Sequence, residues 1–437
     1  MQFVDTLRAK LGPIKQQLAA VPGLPEMFEQ CFLNTVETTV KVHEDGKVFV
    51  ITGDIPAMWL RDSSTQVMHY LRFHKEPQVQ RLVEGLLKQQ VACILHDPYA
   101  NAFNEYPLDQ DNGDRPRVSP LVWEQKYEID SLCYPIWLAA HWYERSGRMD
   151  WLDEDFHRAM EEIVTLFERE QRHDSQSRYF FLRRDCPAQD TLSHAGHGAP
   201  TAYTGMTWSG FRPSDDACVY GYLVPSNLFA ASILKEIVLF CALLEDSFLV
   251  ERAKTLREQI LLGVSCYGHA EDEQLGDILA YESDGMGNVV LMDDANVPSL
   301  LSLPYLGALS AEDPLYQRTR QFVLSSKNPY YAEGKHARGI GSPHTPLGYI
   351  WHIALCIQAM TSQDAAEQAE LVKMLLTTHA GTGFMHEGFH PDDPAQFTRS
   401  WFAWANSLFG ETIYRLYEAG TLPEILKRSG VKAIETA

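Results

Sequence analysis

Apolar residues recur at helical spacing from one end of this chain to the other, and the connections between helices are of two kinds. The periodic segments cover residues 4–20, 28–39, 63–73, 79–95, 131–145, 156–171, 226–244, 248–262, 315–325, 349–360, 365–378, 401–417 and 423–428. β-like pieces occur only at 47–51 and 179–182, and neither βαβ alternation nor a glycine-rich phosphate loop is visible. Doubly wound sheets and TIM barrels therefore fit poorly. Some connections are short, such as Ser146-Gly147-Arg148. Others are long and rich in Asp, Asn, Pro, Trp and Tyr: residues 97–127, 185–216, 281–304, 327–348 and 380–400. Long loops without structure of their own are usually functional in a compact domain. A toroid of helical hairpins accounts for the alternation, with short turns on one face and long loops building a cleft on the other. No Ser/Gly/Pro-rich linker interrupts the chain, so residues 1–437 are expected to form one all-α domain. No fixed repeat of 20–50 residues is visible, which counts against a solenoid.

Charge and composition exclude partners. The net charge is −21 and the pI near 5.2, whereas phosphate-rich partners need a basic face. Nucleic acid and anionic membranes are therefore not expected. No run of 18 apolar residues stands out as a membrane span, and the N-terminus lacks a basic segment followed by an apolar one. The eight cysteines are scattered without a C-x-x-C and mostly lie in apolar helical patterns. Reduced buried thiols in a cytoplasmic protein are the expectation.

Three loops carry the chemistry. The first is Gly53-Asp54-Ile55-Pro56-Ala57-Met58-Trp59-Leu60-Arg61-Asp62. Gly53 and Pro56 break a helix, while Asp62 and Ser63 are N-cap types. An aromatic face, a bidentate donor and a carboxylate at one helix mouth suit a sugar ring and its hydroxyls. On this reading Arg61 and Asp62 hold a terminal sugar, and Arg61→Ala weakens binding without unfolding the chain. The plainer alternative is a buried Arg61–Asp62 pair that ties the loop down.

The second loop, Trp208-Ser209-Gly210-Phe211-Arg212-Pro213-Ser214-Asp215-Asp216-Ala217, repeats those ingredients. Of two adjacent Asp residues at a helix start, one can donate a proton while the other holds substrate or caps the helix. A solvated pair at a helix N-terminus, favoured by the dipole, is the alternative. Trp208 and Phe211 are apolar neighbours able to raise the acid's pKa by desolvation.

The third loop, from Gly381 to Pro394, contains His386-Glu387-Gly388-Phe389-His390, a formal H-E-x-x-H zinc pattern. That pattern needs a helix, on which the two His share a face. Gly381, Gly383, Gly388 and Pro391 make a helix untenable, so no metal is expected. A Glu in a tight aromatic loop suits a general base. Weaker signals are Glu128 and Asp130 before a helix, Asp294 and Asn296 in Met292–Ser299, His344 ending a long loop, and Arg399 before the last long helix. Each alone is more often a cap or surface turn.

Taken together, residues 52–63, 126–135, 205–216, 292–301 and 385–387 resemble the exo-α-1,6-mannosidases of glycoside hydrolase family 125, in order and through most of the chain. The resemblance implies an (α/α)6 barrel and metal-independent, inverting hydrolysis of terminal non-reducing α-1,6-linked mannose, without a cofactor. It implies an Asp acid, at Asp215 or Asp216, and a Glu base, at Glu387. Inverting enzymes hold these carboxyls roughly 6.5–9.5 Å apart. The substrate residues it implies are Trp59, Arg61, Asp62, Glu128, Asp130, Trp208, Arg212, Asp294, Asn296, His344, His386 and Arg399. The partner implied is a mannose-containing oligosaccharide or N-glycan fragment, met by a monomer or weak homo-oligomer. The alternatives are a related inverting α-glucosidase or trehalase-like hydrolase on the same barrel, and a non-catalytic carbohydrate-binding toroid.

Overall fold

A computed structural model describes residues 2–109 and 113–434. Residues 110–112 of the expected long loop 97–127, and positions 1 and 435–437 of the expected domain, lie outside the described residues.

Inner and outer helices alternate along the chain. The outer ones are Leu24–Thr38, Pro77–His96, Glu154–Glu170, Ser247–Tyr267, Pro314–Val323 and Ala365–Thr377. Between them run the inner helices Leu60–Met68, Ile129–Ser146, Val224–Leu243, His352–Thr361 and Ala403–Glu418. Outer helices are amphipathic. In Glu154–Glu170, the residues Phe156, Ala159, Met160, Ile163, Val164 and Phe167 are buried at spacings of three and four, and the Asp153 side chain caps the Phe156 N–H at 3.0 Å. Inner helices are buried on most sides, and every residue of Leu60–Met68 is buried. Where a sixth inner helix would stand, residues 300–307 make a run of turns. Asp293 caps this run by accepting from Leu300 N–H and Leu301 N–H at 2.8 and 3.0 Å. Tyr305 from the run packs on Trp137 at 5.6 Å between ring centres and donates to Glu411 Oε2 at 3.1 Å. The ring that results is an (α/α)6 toroid, and its main apolar core is continuous from Leu7 to Ile434.

One inner helix is apolar on most sides. Val224–Leu243, with mean hydropathy 1.6, is long and apolar enough to cross a membrane by length and composition. Here it packs between Ile129–Ser146 and Ser247–Tyr267, which accounts for its apolar circumference.

The long loops are not structureless. Short antiparallel strands run through them, and each three-stranded sheet includes the strand that leads into an inner helix. Met58–Trp59 pairs with Ala102–Phe103, which pairs with Val122–Glu124. Tyr222–Leu223 pairs with Glu282–Ser283, which pairs with Val289–Val290. Ile350–Trp351 pairs with Gly388–His390, which pairs with Asp393–Phe397. Strands of two to five residues are too short to leave a period-2 signal. The piece expected at 47–51 forms as Val48–Val50, but 179–182 does not form a strand: only Leu182 bridges, to Arg115, while Tyr179 and Phe181 turn into the core. The helix expected over 4–20 is split in two, Gln2–Lys10 and Gly12–Leu18, with Pro13 opening the second.

The first loop closes the ring against the last. Gly53 bridges Phe402, and the Asp54 N–H donates to the Trp401 carbonyl at 3.3 Å. Gly53 has φ +126°, and a Cβ there would lie 2.6 Å from the Trp401 carbonyl oxygen. Gly53→Ala should therefore cost about 1–3 kcal/mol by overpacking. The control is Gly12→Ala, where nothing lies within 4 Å of an added Cβ. Thermal melts check this, and equal melting temperatures for the two variants would refute the closure argument.

Candidate active site

The loops surround a cavity of about 270 Å³ whose wall includes Trp59, Arg61, Asp62, Asp215, Asn296, His344, Glu387 and Arg399. Three larger cavities among the described residues, of about 480, 440 and 400 Å³, have walls that include none of these residues.

Arg61 organises the floor. Trp59, in extended conformation, occupies the N-cap position of Leu60–Met68, so Asp62 and Ser63 stand inside the first turn and are not caps. The Arg61 side chain is 3% exposed; its Nη1 donates to Glu128 Oε2 at 2.6 Å and to Asp130 Oδ2 at 2.9 Å. Its Nε lies 3.6 Å from Asp62 Oδ2 and its Nη2 4.0 Å from Asp215 Oδ1. Glu128 and Asp130 are wholly buried behind Arg61, which corrects their expected place against substrate. Asp62 does face the cavity. Burial pushes its carboxyl up to about 6, with the Arg61 and Arg399 charges opposing.

The two adjacent acids diverge because they sit in a hairpin tip and not at a helix start. Phe211 bridges Ala217, the Arg212 N–H donates to the Asp216 carbonyl at 2.7 Å, and Asp215 takes φ +66°. A left-handed backbone at a non-glycine residue is strained and has to be held by its surroundings. Here Ser214 Oγ donates to Asp294 Oδ2 at 2.9 Å and Asn296 Nδ2 donates to the Pro213 carbonyl at 2.8 Å. Asp294 thus buttresses the turn from beneath and does not reach the cavity, while Asn296 does both. Asp215 faces the cavity; its Oδ1 accepts from Asn101 Nδ2 at 2.9 Å and Trp59 Nε1 at 3.3 Å. Burial alone would raise the Asp215 carboxyl, but Lys126, Arg61 and a hydrogen bond from Glu128 outweigh it and hold it low. That overturns desolvation by Trp208 and Phe211 as the controlling influence. Asp216 points inward and binds His344 Nδ1 at 3.2 Å. Burial works against the charged imidazole, but this bond and the charges of Asp216, Asp215 and Glu387 lift His344 to about 9.

Glu387 precedes a strand, as the glycines demanded. Gly388 packs its backbone on the Trp351 ring, where an added Cβ would lie 3.3 Å away, and its N–H donates to Thr398 Oγ1 at 2.9 Å. Glu387 Oε1 lies 3.6 Å from Arg399 Nη1, and Arg399 also donates from Nε to Asp54 Oδ1 at 3.0 Å. Arg399 thus ties the Glu387 loop to the first loop. His386 is a further correction: it is buried behind Glu387, stacked on Phe397 at 3.7 Å, and burial keeps its imidazole neutral.

Two more expected substrate residues lie in the supporting layer. Trp208 is 1% exposed and stacks on His173 at 3.5 Å, too deep to meet a sugar. Arg212 donates to Glu282 Oε1 at 2.6 Å, and Glu282 in turn accepts from the backbone of Val219 and Tyr220. That anchors the Asp215 hairpin to the Tyr222–Leu223 sheet. Residues missed from sequence are Trp351, Phe402 and Trp404 in the wall and Asn101 on Asp215. Trp351 and Phe402 each stand immediately before an inner helix, as Trp59 does, and that position was the available signal. Nothing in the sequence around Asn101 marks it.

Two outcomes follow from this layer. Removing Arg61 leaves two buried carboxyls without their cation, so Arg61→Ala should destabilise the fold by about 3–5 kcal/mol. This replaces the expectation of a binding defect alone, and denaturant unfolding with an unchanged midpoint would refute it. His344 has a raised pKa, so its charge and the Asp216 contact are intact at neutral pH and fade as pH rises through about 9. NMR titration of His344 should show this value in the wild type and, in Asp216→Asn, a fall toward the ordinary imidazole value of about 6.5. Equal values in the two proteins would remove Asp216 from this role.

Known proteins resemble this arrangement. The chain is 38% identical to the meiotically up-regulated gene 157 protein of Schizosaccharomyces pombe, over 95% of this chain and 86% of that protein. A solved Streptococcus pneumoniae protein, described among metal-independent alpha mannosidases and seen in a non-productive complex with alpha-1,6-mannobiose, superposes with a TM-score of 0.88. It is 41% identical, with 98% of each chain covered. The glucoamylase of Saccharomycopsis fibuligera, 12% identical with 96% of each chain covered, shares the fold at a TM-score of 0.55. Residues 22–414 match the family described as metal-independent alpha-mannosidase (GH125), and the chain belongs to that family.

Proposed function

We propose that this α-mannosidase removes single α-1,6-linked mannose residues from the non-reducing ends of oligosaccharides such as N-glycan fragments, with inversion, using Asp215 as acid and Glu387 as base. The observation that carries the assignment is that Asp215 and Glu387, from loops far apart in sequence, face one small cavity whose floor is Arg61 and Asp62. Asp216 has its carboxylate turned to His344 and lies outside the wall. The mannobiose complex of the streptococcal relative supports the linkage.

In this reading the terminal mannose enters ring first. Asp62, Asn296 and the free edge of Arg61 take its hydroxyls, and Trp59, Trp351 and Trp404 supply apolar wall. A cavity of about 270 Å³ takes one terminal sugar, which makes the action exo. Asp215 protonates the glycosidic oxygen as the bond to C1 breaks. Glu387 takes a proton from the water that attacks C1 on the opposite face, so the configuration inverts. The Arg399 and His344 cations stabilise charge developing between the carboxyls.

Proton NMR of the first anomer released from α-1,6-mannobiose tests substrate and stereochemistry together. β-Mannose is expected first; α-mannose would overturn inversion, and no release would overturn the substrate. Glu387→Gln should keep its fold and lose on the order of 10²–10⁴-fold in turnover. Asp215→Asn should fail on the disaccharide yet cleave aryl mannosides with good leaving groups, which need little protonation. If Asp216→Asn shows that selective rescue instead, the acid is Asp216.

A further inference from the structure

We propose that Asn101, which stands outside the cavity wall, is a positioning residue for the reaction: with the Trp59 indole it pins one oxygen of Asp215 and leaves the other, Oδ2, to carry the proton to the leaving group. This deepens the functional reading above and rests on Asp215 being the acid.

Asn101 comes just ahead of the strand Ala102–Phe103, which pairs with Met58–Trp59 on one side and Val122–Glu124 on the other. Its backbone carbonyl accepts from the Leu60 N–H at 3.2 Å, at the start of an inner helix. The residue is wholly buried, and every polar atom of its side chain is used. Oδ1 accepts from the Lys126 N–H at 3.1 Å, while Nδ2 donates to Asp215 Oδ1 at 2.9 Å and to Glu124 Oε2 at 3.3 Å. These partners allow the amide only one way round. Turned over, its oxygen would face two carboxylates and its NH2 would face an N–H.

The same Asp215 oxygen takes a second donor, Trp59 Nε1 at 3.3 Å, from the neighbouring strand. An oxygen that accepts two N–H groups has its lone pairs engaged, so a proton adds to Oδ2. Charge alone does not choose between the two oxygens. Arg61 Nη2 stands 4.0 Å from Oδ1, beyond hydrogen-bond reach, and Lys126 and His344 act on the carboxyl through their charges. Asp62, Glu128 and Asp130 are acids that face it, Asp216 is turned to His344, and Glu387 and Arg399 share the cavity.

Asp215 needs such a guide. It sits at a hairpin tip with φ +66° and a side chain 23% exposed, and the last torsion of an aspartate is broad. In the reaction the Oδ2–H bond breaks, the glycosidic oxygen gains the proton and its bond to C1 breaks. The carboxylate that forms already has Oδ1 held by two donors, which stabilise its charge. After product leaves, Asp215 takes one proton from water and Glu387 returns one to water, so the cycle balances.

Asn101→Ala is the test, with each protein measured at its own pH optimum. Expected is a fall in kcat on α-1,6-mannobiose on the order of 10²-fold, the scale of a misplaced reacting group, with KM little changed. Cleavage of an aryl mannoside with a good leaving group should fall far less, because it needs little protonation. The pH profile gives a readout that a merely structural role does not move. N–H donors favour the charged carboxylate, so losing one raises the pKa of Asp215. Since kcat falls as pH rises through that pKa, its alkaline limb should move to higher pH. Equal losses on both substrates, no loss on the disaccharide, or an alkaline limb left in place would each overturn the proposal. Should Asn101→Ala fail to fold, Trp59→Phe decides, because it removes the other donor to Oδ1 and keeps an aromatic ring in the wall. Its alkaline limb should also move to higher pH, and an unmoved limb would overturn the proposal. The functional reading fails separately. A wild type inactive on the disaccharide, or selective rescue of Asp216→Asn on activated mannosides, refutes that reading. Rescue of Asp215→Asn beside an Asn101→Ala that behaves as wild type refutes the positioning role alone.

Discussion

The cation of Arg61, sunk among four carboxyls, is the interaction on which the rest of the site depends. Its two short bonds run to Glu128 and Asp130 at the head of one inner helix, while Arg61 itself stands at the head of another. The same charge lies near Asp62 and Asp215. One guanidinium therefore joins two helices of the ring and lowers the proton affinities of the acids above them. Buried charge of this kind is a poor source of net stability, because desolvation offsets much of the attraction. Its value is in position: partners left unpaired are so unfavourable that few other arrangements compete.

Around that centre, support comes in layers. The strained turn at Asp215 rests on Asp294 and Asn296 and is tethered through Arg212 to Glu282. Glu387 is held by a strand wedged against Trp351 and by Arg399, which also grips Asp54. Each carboxylate is thus fixed by loops other than its own. Holding groups at rigid spacing is what acid and base catalysis across a sugar ring requires.

The helices were legible because ten or more residues of 3.6-residue periodicity outweigh local noise. Apart from Val48–Val50 the strands were not, since Met58–Trp59 or Ile350–Trp351 hold too few residues to alternate. Polar and aromatic residues just before inner helices pointed to the right loops, and Arg61, Asn296, His344 and Glu387 do meet at one cavity. What the sequence could not convey is which way a side chain turns in an irregular loop. Asp215 and Asp216 are neighbours with the same chemistry, and only a positive φ at the first separates them. Trp208, Arg212 and Glu128 read as contact residues because the layer behind a polar site is itself polar. The buried pairing of Arg61 with residues more than sixty positions away left no local trace.

The bridge between Gly53 and Phe402 has a consequence for how such a chain is made. Residues that line the cavity begin at Thr52 and end at Trp404, and the Asp54–Trp401 contact seals the first loop to the last. On the ribosome, a chain stopped short of Trp401 already holds Asp215 and Glu387, but it lacks the Asp54–Trp401 contact and its ring is open. The closed cavity is therefore among the last features to form during synthesis, after most of the residues that line it have been made.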